Sequence, residues 1–159
     1  MWEIDKTFDF CYGHRVWSQY LEQEYAGKMQ CQCRRLHGHQ GQVKIHLAAS
    51  GLQAGMVTDF NHLNWLKKFI DDNIDHRFII DKNDPLFQAM TKGICTDGSP
   101  EAEEYQESFY IVDFVPTSEN LAKWLFDLVQ EKMNPLGVKV VKVEWFETPK
   151  SRSVYTKDE

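Results

Sequence analysis

The sequence has no excess of basic residues: 18 Lys and Arg stand against 24 Asp and Glu, a formal charge of -6. That disfavours nucleic acid as the main partner, because a phosphate backbone is bound by a basic field. A small anionic ligand, which needs only a local basic cluster, stays open. Also missing is any apolar run near the roughly 20 residues that span a bilayer. The opening residues, Met1-Trp2-Glu3-Ile4-Asp5-Lys6, hold no basic segment followed by an apolar stretch. No signal peptide is therefore expected, and the chain is expected in the cytoplasm. There is no internal repeat, low-complexity tract or linker. Cysteine is scarce, and in a reducing compartment the four present read as free thiols, with Cys11 and Cys95 lacking an evident partner. What remains is 159 residues, 42% apolar and 26% charged, the composition of a single globular domain spanning 1–159 and large enough to bury a core.

Apolar and polar residues alternate over Trp2, Ile4, Phe8 and Phe10, the period of a strand with one face buried. A second alternation at 39–49 sets Val43, Ile45 and Leu47 against Gln42, Lys44 and His46. His46 shares a polar face with a lysine, which favours a solvated or locally bonded side chain. Thr58-Asp59 reads as a helix start, and Phe60, Leu63, Leu66, Lys67 and Ile70 continue it at helical spacing to about Asn73. Residues 81–116 are the least regular, with a variable loop at 88–113. Its acidic run Glu101 to Glu104 reads as a solvated excursion, and Phe109 to Val112 as a short strand returning from it. Pro116-Thr117-Ser118-Glu119 opens a second helix with Leu121, Trp124, Leu125, Leu128 and Val129 as its buried stripe. A third alternation follows, Val141, Val143 and Trp145 against Lys142 and Glu144, and 153–155 forms a short fourth strand. On this pattern Glu144 faces solvent beside Lys142. Sequential strand pairs imply antiparallel hairpins, so the expected fold is α+β: a four-stranded antiparallel sheet with two helices on one face. The edges of such a sheet need pairing, which suggests oligomerisation.

The densest chemistry lies in Cys31-Gln32-Cys33-Arg34-Arg35-Leu36-His37-Gly38-His39. In an extended chain His37 and His39 fall on one face, where two imidazoles can share a metal ion. Gly38 removes side-chain bulk from the opposite face, and a thiol four residues upstream offers a base or nucleophile. His14 stands at the end of the first strand, a place where a histidine is more often hydrogen-bonded than a ligand. Asp75-His76 follows the first helix, yet neighbours in sequence usually diverge.

In that order, His14, Cys33-x-x-x-His37-Gly38-His39, Asp75-His76, Pro116 to Asn120 and Glu147-Thr148-Pro149 make the chain similar to the 6-pyruvoyl-tetrahydropterin synthase superfamily. The resemblance runs from about Phe8 to Tyr155 and is closer to the bacterial 6-carboxy-tetrahydropterin synthases of the queuosine pathway. It implies a tunnelling fold, in which four-stranded sheets of three subunits join into a barrel and two trimers stack, giving a homohexamer with active sites at subunit interfaces. It implies a zinc ion on His14, His37 and His39 with its fourth position open, Cys33 as proton acceptor, and His76, oriented by Asp75, as a second proton carrier. Glu147 resembles the family's pterin anchor, although a surface glutamate at a strand end is the plain alternative. Thr117 either assists at the pterin ring or simply caps a helix. Lys28, Arg34, Arg35 and Lys150 are candidates to meet a triphosphate. The reaction implied is conversion of 7,8-dihydroneopterin triphosphate to 6-carboxy-5,6,7,8-tetrahydropterin with loss of acetaldehyde and triphosphate. The pyruvoyl synthase reaction, which eliminates triphosphate from the same substrate, is the alternative. A non-catalytic zinc cage of Cys31, Cys33, His37 and His39 is a remote one. Cys31 departs from the basic motif, and it leaves open which sulfur acts.

Overall fold

The computed structural model describes residues 1–26, 31–92 and 98–157. Among these are six strands, β1 (Trp2–His14), β2 (His37–Ala49), β3 (Arg77–Asp81), β4 (Phe109–Val112), β5 (Lys139–Thr148) and β6 (Ser151–Thr156). The helices are α1 (Gln23–Ala26), α2 (Asn64–Asn73), α3 (Pro85–Lys92), α4 (Pro100–Glu107) and α5 (Ser118–Met133). The chain divides into two compact units, Met1–Phe10, Gln40–Asn73 and Ser118–Glu159 in the first, Cys11–His39 and Ile74–Thr117 in the second. No described helix is long and apolar enough to cross a membrane.

The first unit holds the four strands expected from alternation, in the order β1-β2-β5-β6. Val43 and Ile45 pair with Trp145 and Val143, and all four are buried. A register shift between His46 and Leu47 then sets Leu47 opposite Val140 instead of Val141. This bulge lets Val138 and Val140 turn inward in place of Val141, which is only half-buried. Helix α5 lies on β5 and β6 and buries Leu121, Ala122, Leu125, Phe126, Val129 and Met133. Trp124, at the margin of this stripe, meets Phe69 of α2. Asn134-Pro135 and the left-handed Gly137 end the helix. The expected helix start at Thr58-Asp59 is instead a short 3-10 turn over Phe60–Leu63, capped by the Asp59 carboxylate, and Phe60 is exposed.

The polar side of β2 differs from the expectation. His46 is buried, its Nδ1 2.8 Å from Glu3 Oε1 and its Nε2 2.6 Å from Glu144 Oε2. Glu144 is buried as well and accepts from Arg152 Nε at 3.0 Å. The solvent-facing reading of Glu144 is therefore corrected. Residues on a nominally outer face become interior when polar partners from β1 and β6 close over them. Burial alone would raise the Glu144 pKa, but His46 and then Arg152 and Lys142 hold it below its ordinary value of 4.5. Its contribution to stability is complete above that ordinary value and is lost as pH falls through the depressed one. Glu144→Gln should thus cost about 1.5–3 kcal/mol near neutral pH, the scale of hydrogen bonds made by a charged group. Urea unfolding at pH 7 and at pH 3 should show the gap from wild type narrowing in acid. A gap independent of pH would contradict the assignment.

The second unit carries strand pairing that alternation did not predict. Its order is β4-β3-β1-β2, and β3 runs parallel to both β1 and β4. The sheet strands therefore number six rather than four, and they are mixed rather than wholly antiparallel. Strand β3 reads Arg-Phe-Ile-Ile-Asp, an unbroken apolar core that gives no period-two signal, as expected of a buried parallel strand. Parallel neighbours need long crossovers, and the 88–113 region supplies one. It contains the end of α3, then α4, then β4. The acidic run belongs to α4, where Ser99 Oγ accepts from the Ala102 N–H, Pro100 takes a first-turn position and Glu101 and Glu103 meet the positive end of the helix.

Candidate metal centre

The site begins at the end of β1, where Phe8, Phe10, Tyr12 and His14 alternate onto a buried face. Gly13 separates the last two because the Phe78 ring occupies the opposite side. A Cβ on Gly13 would lie 2.7 Å from that ring. Gly38 plays the same part in β2, where a Cβ would come 3.3 Å from the Tyr12 carbonyl. The inference that Gly38 clears the face behind two histidines thus holds for packing against β1.

His14, His37 and His39 converge. Their ring centroids lie 4.6, 5.1 and 4.9 Å apart, and a nitrogen from each ring falls within 4.8 Å of the others. Two of the rings are oriented by carbonyls. His14 Nδ1 donates to the Pro116 carbonyl and His37 Nδ1 to the Arg35 carbonyl, both at 2.7 Å. A carbonyl only accepts, so the proton sits on Nδ1 and the lone pair on Nε2. Backbone oxygens of this kind orient metal-bound histidines. Burial, offset in part by the Pro116 bond and reinforced by His37 and His39, lowers the His14 pKa to about 4. Burial and His37 also lower that of His39. Near pH 7 these two rings are neutral, the state a ligand requires. The residues fit a metal ion: three imidazole nitrogens suit zinc, and also copper, iron or nickel. Among the described residues the convergent set takes His14 and neither cysteine.

Cys33 lies in a 3-10 turn, Gln32–Arg34, directly before β2. It is half-buried, as are Cys11 and Cys31. The Cys31 sulfur accepts from the Cys33 N–H at 3.4 Å and so caps the turn. Cys95 and Lys28 lie outside the described residues.

Asp75 and His76 do meet, with His76 Nδ1 2.9 Å from Asp75 Oδ2. Adjacent side chains converge here because His76 adopts φ 62°, a left-handed conformation that costs a residue with a Cβ about 1 kcal/mol or more. The turn is pinned to β1 on both sides: Cys11 N–H donates to Asp75 Oδ1 and His76 N–H to the Cys11 carbonyl, each at 2.8 Å. Burial would raise the Asp75 pKa, but the Cys11 N–H and His76 more than offset it and hold the carboxyl low. His76 itself is largely exposed.

Thr117 immediately precedes α5 and follows the proline whose carbonyl holds His14. Glu147 is half-buried near the end of β5, in the first unit. Of the basic candidates, Arg34 donates to the Gln19 carbonyl at 2.9 Å, and Arg35 and Lys150 are exposed. Sequence reasoning missed the carbonyls of Pro116 and Arg35 as orienting groups. Only the Pro-Thr-Ser-Glu run hinted at the first, and backbone oxygens carry no residue signature for the second.

The family model for 6-pyruvoyl tetrahydropterin synthase matches residues 3–158. The 6-carboxy-5,6,7,8-tetrahydropterin synthase of Aquifex aeolicus is 36% identical over 99% of each chain. The Rickettsia conorii protein of the same name is 30% identical over 84% of this chain and 83% of its own. An uncharacterized protein from Wolinella succinogenes, known by crystal structure, is 47% identical and superposes with a TM-score of 0.90 over 99% of this chain and 98% of its own. The Caenorhabditis elegans 6-pyruvoyl tetrahydropterin synthase, 24% identical with a TM-score of 0.61 over 98% and 95%, shares the fold. Full-length similarity of this kind, on a chain whose three histidines converge as the resemblance implied, places it: the protein belongs to the 6-pyruvoyl tetrahydropterin synthase family.

Proposed function

We propose that this protein is a zinc-dependent lyase that converts 7,8-dihydroneopterin triphosphate and one water to 6-carboxy-5,6,7,8-tetrahydropterin, acetaldehyde and triphosphate, in queuosine biosynthesis. The observation that carries the reading is the cluster of His14, His37 and His39 in a chain whose relatives are named for that product. A zinc ion held by these rings would act as a Lewis acid and make a C–H beside the substrate's side-chain oxygens more acidic. Cys33 is assigned to take that proton. The cap supplied by the Cys31 sulfur supports this choice, because it gives the second thiol a backbone partner of its own. His76, oriented by Asp75, is the second proton carrier. Its exposure suits a residue that completes a site in an oligomer, and a dimer of trimers is the assembly we infer. One family model spans both compact units, which supports reading 1–159 as a single tunnelling-fold domain of a cytoplasmic enzyme.

Incubation with dihydroneopterin triphosphate followed by mass spectrometry tests the function. The carboxy product with acetaldehyde is expected; a pyruvoyl product would assign the alternative reaction, and no product would overturn the proposal. Glu147 is assigned to accept two hydrogen bonds from the pterin amino group and its neighbouring ring N–H, with Thr117 beside the ring. Glu147→Gln replaces an acceptor oxygen by a donor, so one ring donor loses its partner. Pterin binding should weaken by about 2–4 kcal/mol, roughly 30- to 1000-fold in Kd. Calorimetric titration would show this with metal content unchanged; normal binding would remove Glu147 from the site.

A further inference from the structure

Two residues that follow His14 hold two residues of the turn that bears Cys33. Val16 N–H donates to the Cys33 carbonyl at 2.9 Å, and Arg15 Nη1 donates to the Arg34 carbonyl at 2.9 Å. Arg15 is itself held in place, because its Nε donates to Asp84 Oδ2 at 2.7 Å. Asp84 is fully buried, and its other oxygen accepts from the Leu86 N–H at 2.9 Å, at the start of α3. A buried carboxylate must be paired, so Asp84 is fixed from two sides. The planar guanidinium fork then transmits that position to the Arg34 carbonyl, because its donors keep a fixed geometry. One residue further, the Arg35 carbonyl accepts from His37 Nδ1. The same short segment therefore carries the thiol, the carbonyl that Arg15 holds and the carbonyl that orients a histidine of the metal cluster.

We propose that Arg15, braced by Asp84, is a positioning residue that sets the Cys33 turn relative to His14 and His37, and that turnover depends on it although it touches neither substrate nor metal. This rests on the reading of Cys33 as a proton carrier.

Arg15→Lys provides the test. The ammonium keeps a charge for Asp84 but lacks the fork that also reaches the Arg34 carbonyl. In zinc-loaded protein, kcat should fall about 10- to 100-fold, the scale of a small misplacement of a reacting group, with KM and metal content unchanged. Alkylation of Cys33 by iodoacetamide, followed by peptide mass spectrometry, should quicken roughly threefold or more as the turn loosens. Trp17→Phe is the control. It removes the Trp17 Nε1 to Asp81 Oδ2 bond, 3.0 Å long and in the same unit, and should change neither readout. Wild-type kcat in Arg15→Lys, or equal losses in both variants, would overturn the inference. If wild type makes no carboxy or pyruvoyl product, the functional reading fails by itself, and the Cys33 alkylation rate still decides the clamp: a changed rate supports it and an unchanged one overturns it. Should Arg15→Lys not fold, Asp84→Asn is judged by the same two readouts.

Discussion

Replacing His39 by alanine should leave a folded protein without its metal, and turnover should fall below detection. His39 is the better choice for this test because it is half-buried, whereas His14 is fully buried and its removal would open a hole in the core. Three nitrogens with one open position make a catalytic zinc site, and two cannot hold the ion in competition with buffer and chelators. Elemental analysis of the purified wild type should give about one zinc per chain, and X-ray absorption should show three imidazole nitrogens and no sulfur. The variant should carry almost none. Its circular dichroism should match wild type, since the two units keep cores built from residues such as Trp145 and Ile79. Two sulfur ligands in the wild-type spectrum, or full metal content in the variant, would contradict the site.

The second large effect is expected at Cys33. Cys33→Ala should retain zinc and fold while losing roughly 10²- to 10⁴-fold in kcat, the usual contribution of a positioned proton carrier. Cys31→Ala should stay substantially active. Its sulfur caps a short turn by accepting the Cys33 N–H at 3.4 Å, a contact whose loss costs little because sulfur is a weak acceptor. Single-turnover kinetics with both variants separates the two thiols. Equal losses would show that the cap matters as much as the base, and that the thiols were divided wrongly between them.

Much of this site was legible from order and spacing. The period of two sets His37 and His39 on one face, and Gly38 between them removes bulk from the opposite face, where the structure places the Tyr12 carbonyl. Alternation marks β1, β2 and β5, and helical spacing marks α5, because each sets apolar side chains on one face and polar ones on the other, even where, as at His46 and Glu144, the polar side is buried too. Strand β3 was invisible for the converse reason: a strand in a parallel sheet has no polar face to mark its period.

Tertiary structure decided what depends on groups far apart in sequence or on the backbone alone. The Pro116 carbonyl lies 102 residues from the histidine it orients. Asp75 and His76 meet only through a left-handed φ at His76, a backbone choice that their order in the sequence does not mark. Glu144, read as exposed beside Lys142, became a buried anion because His46 and Arg152 close over it. Side-chain identity and period determine which residues can share a face. Which carbonyl, charge or strained turn completes that face depends on three-dimensional packing, since burial makes each such group seek a partner wherever the fold supplies one.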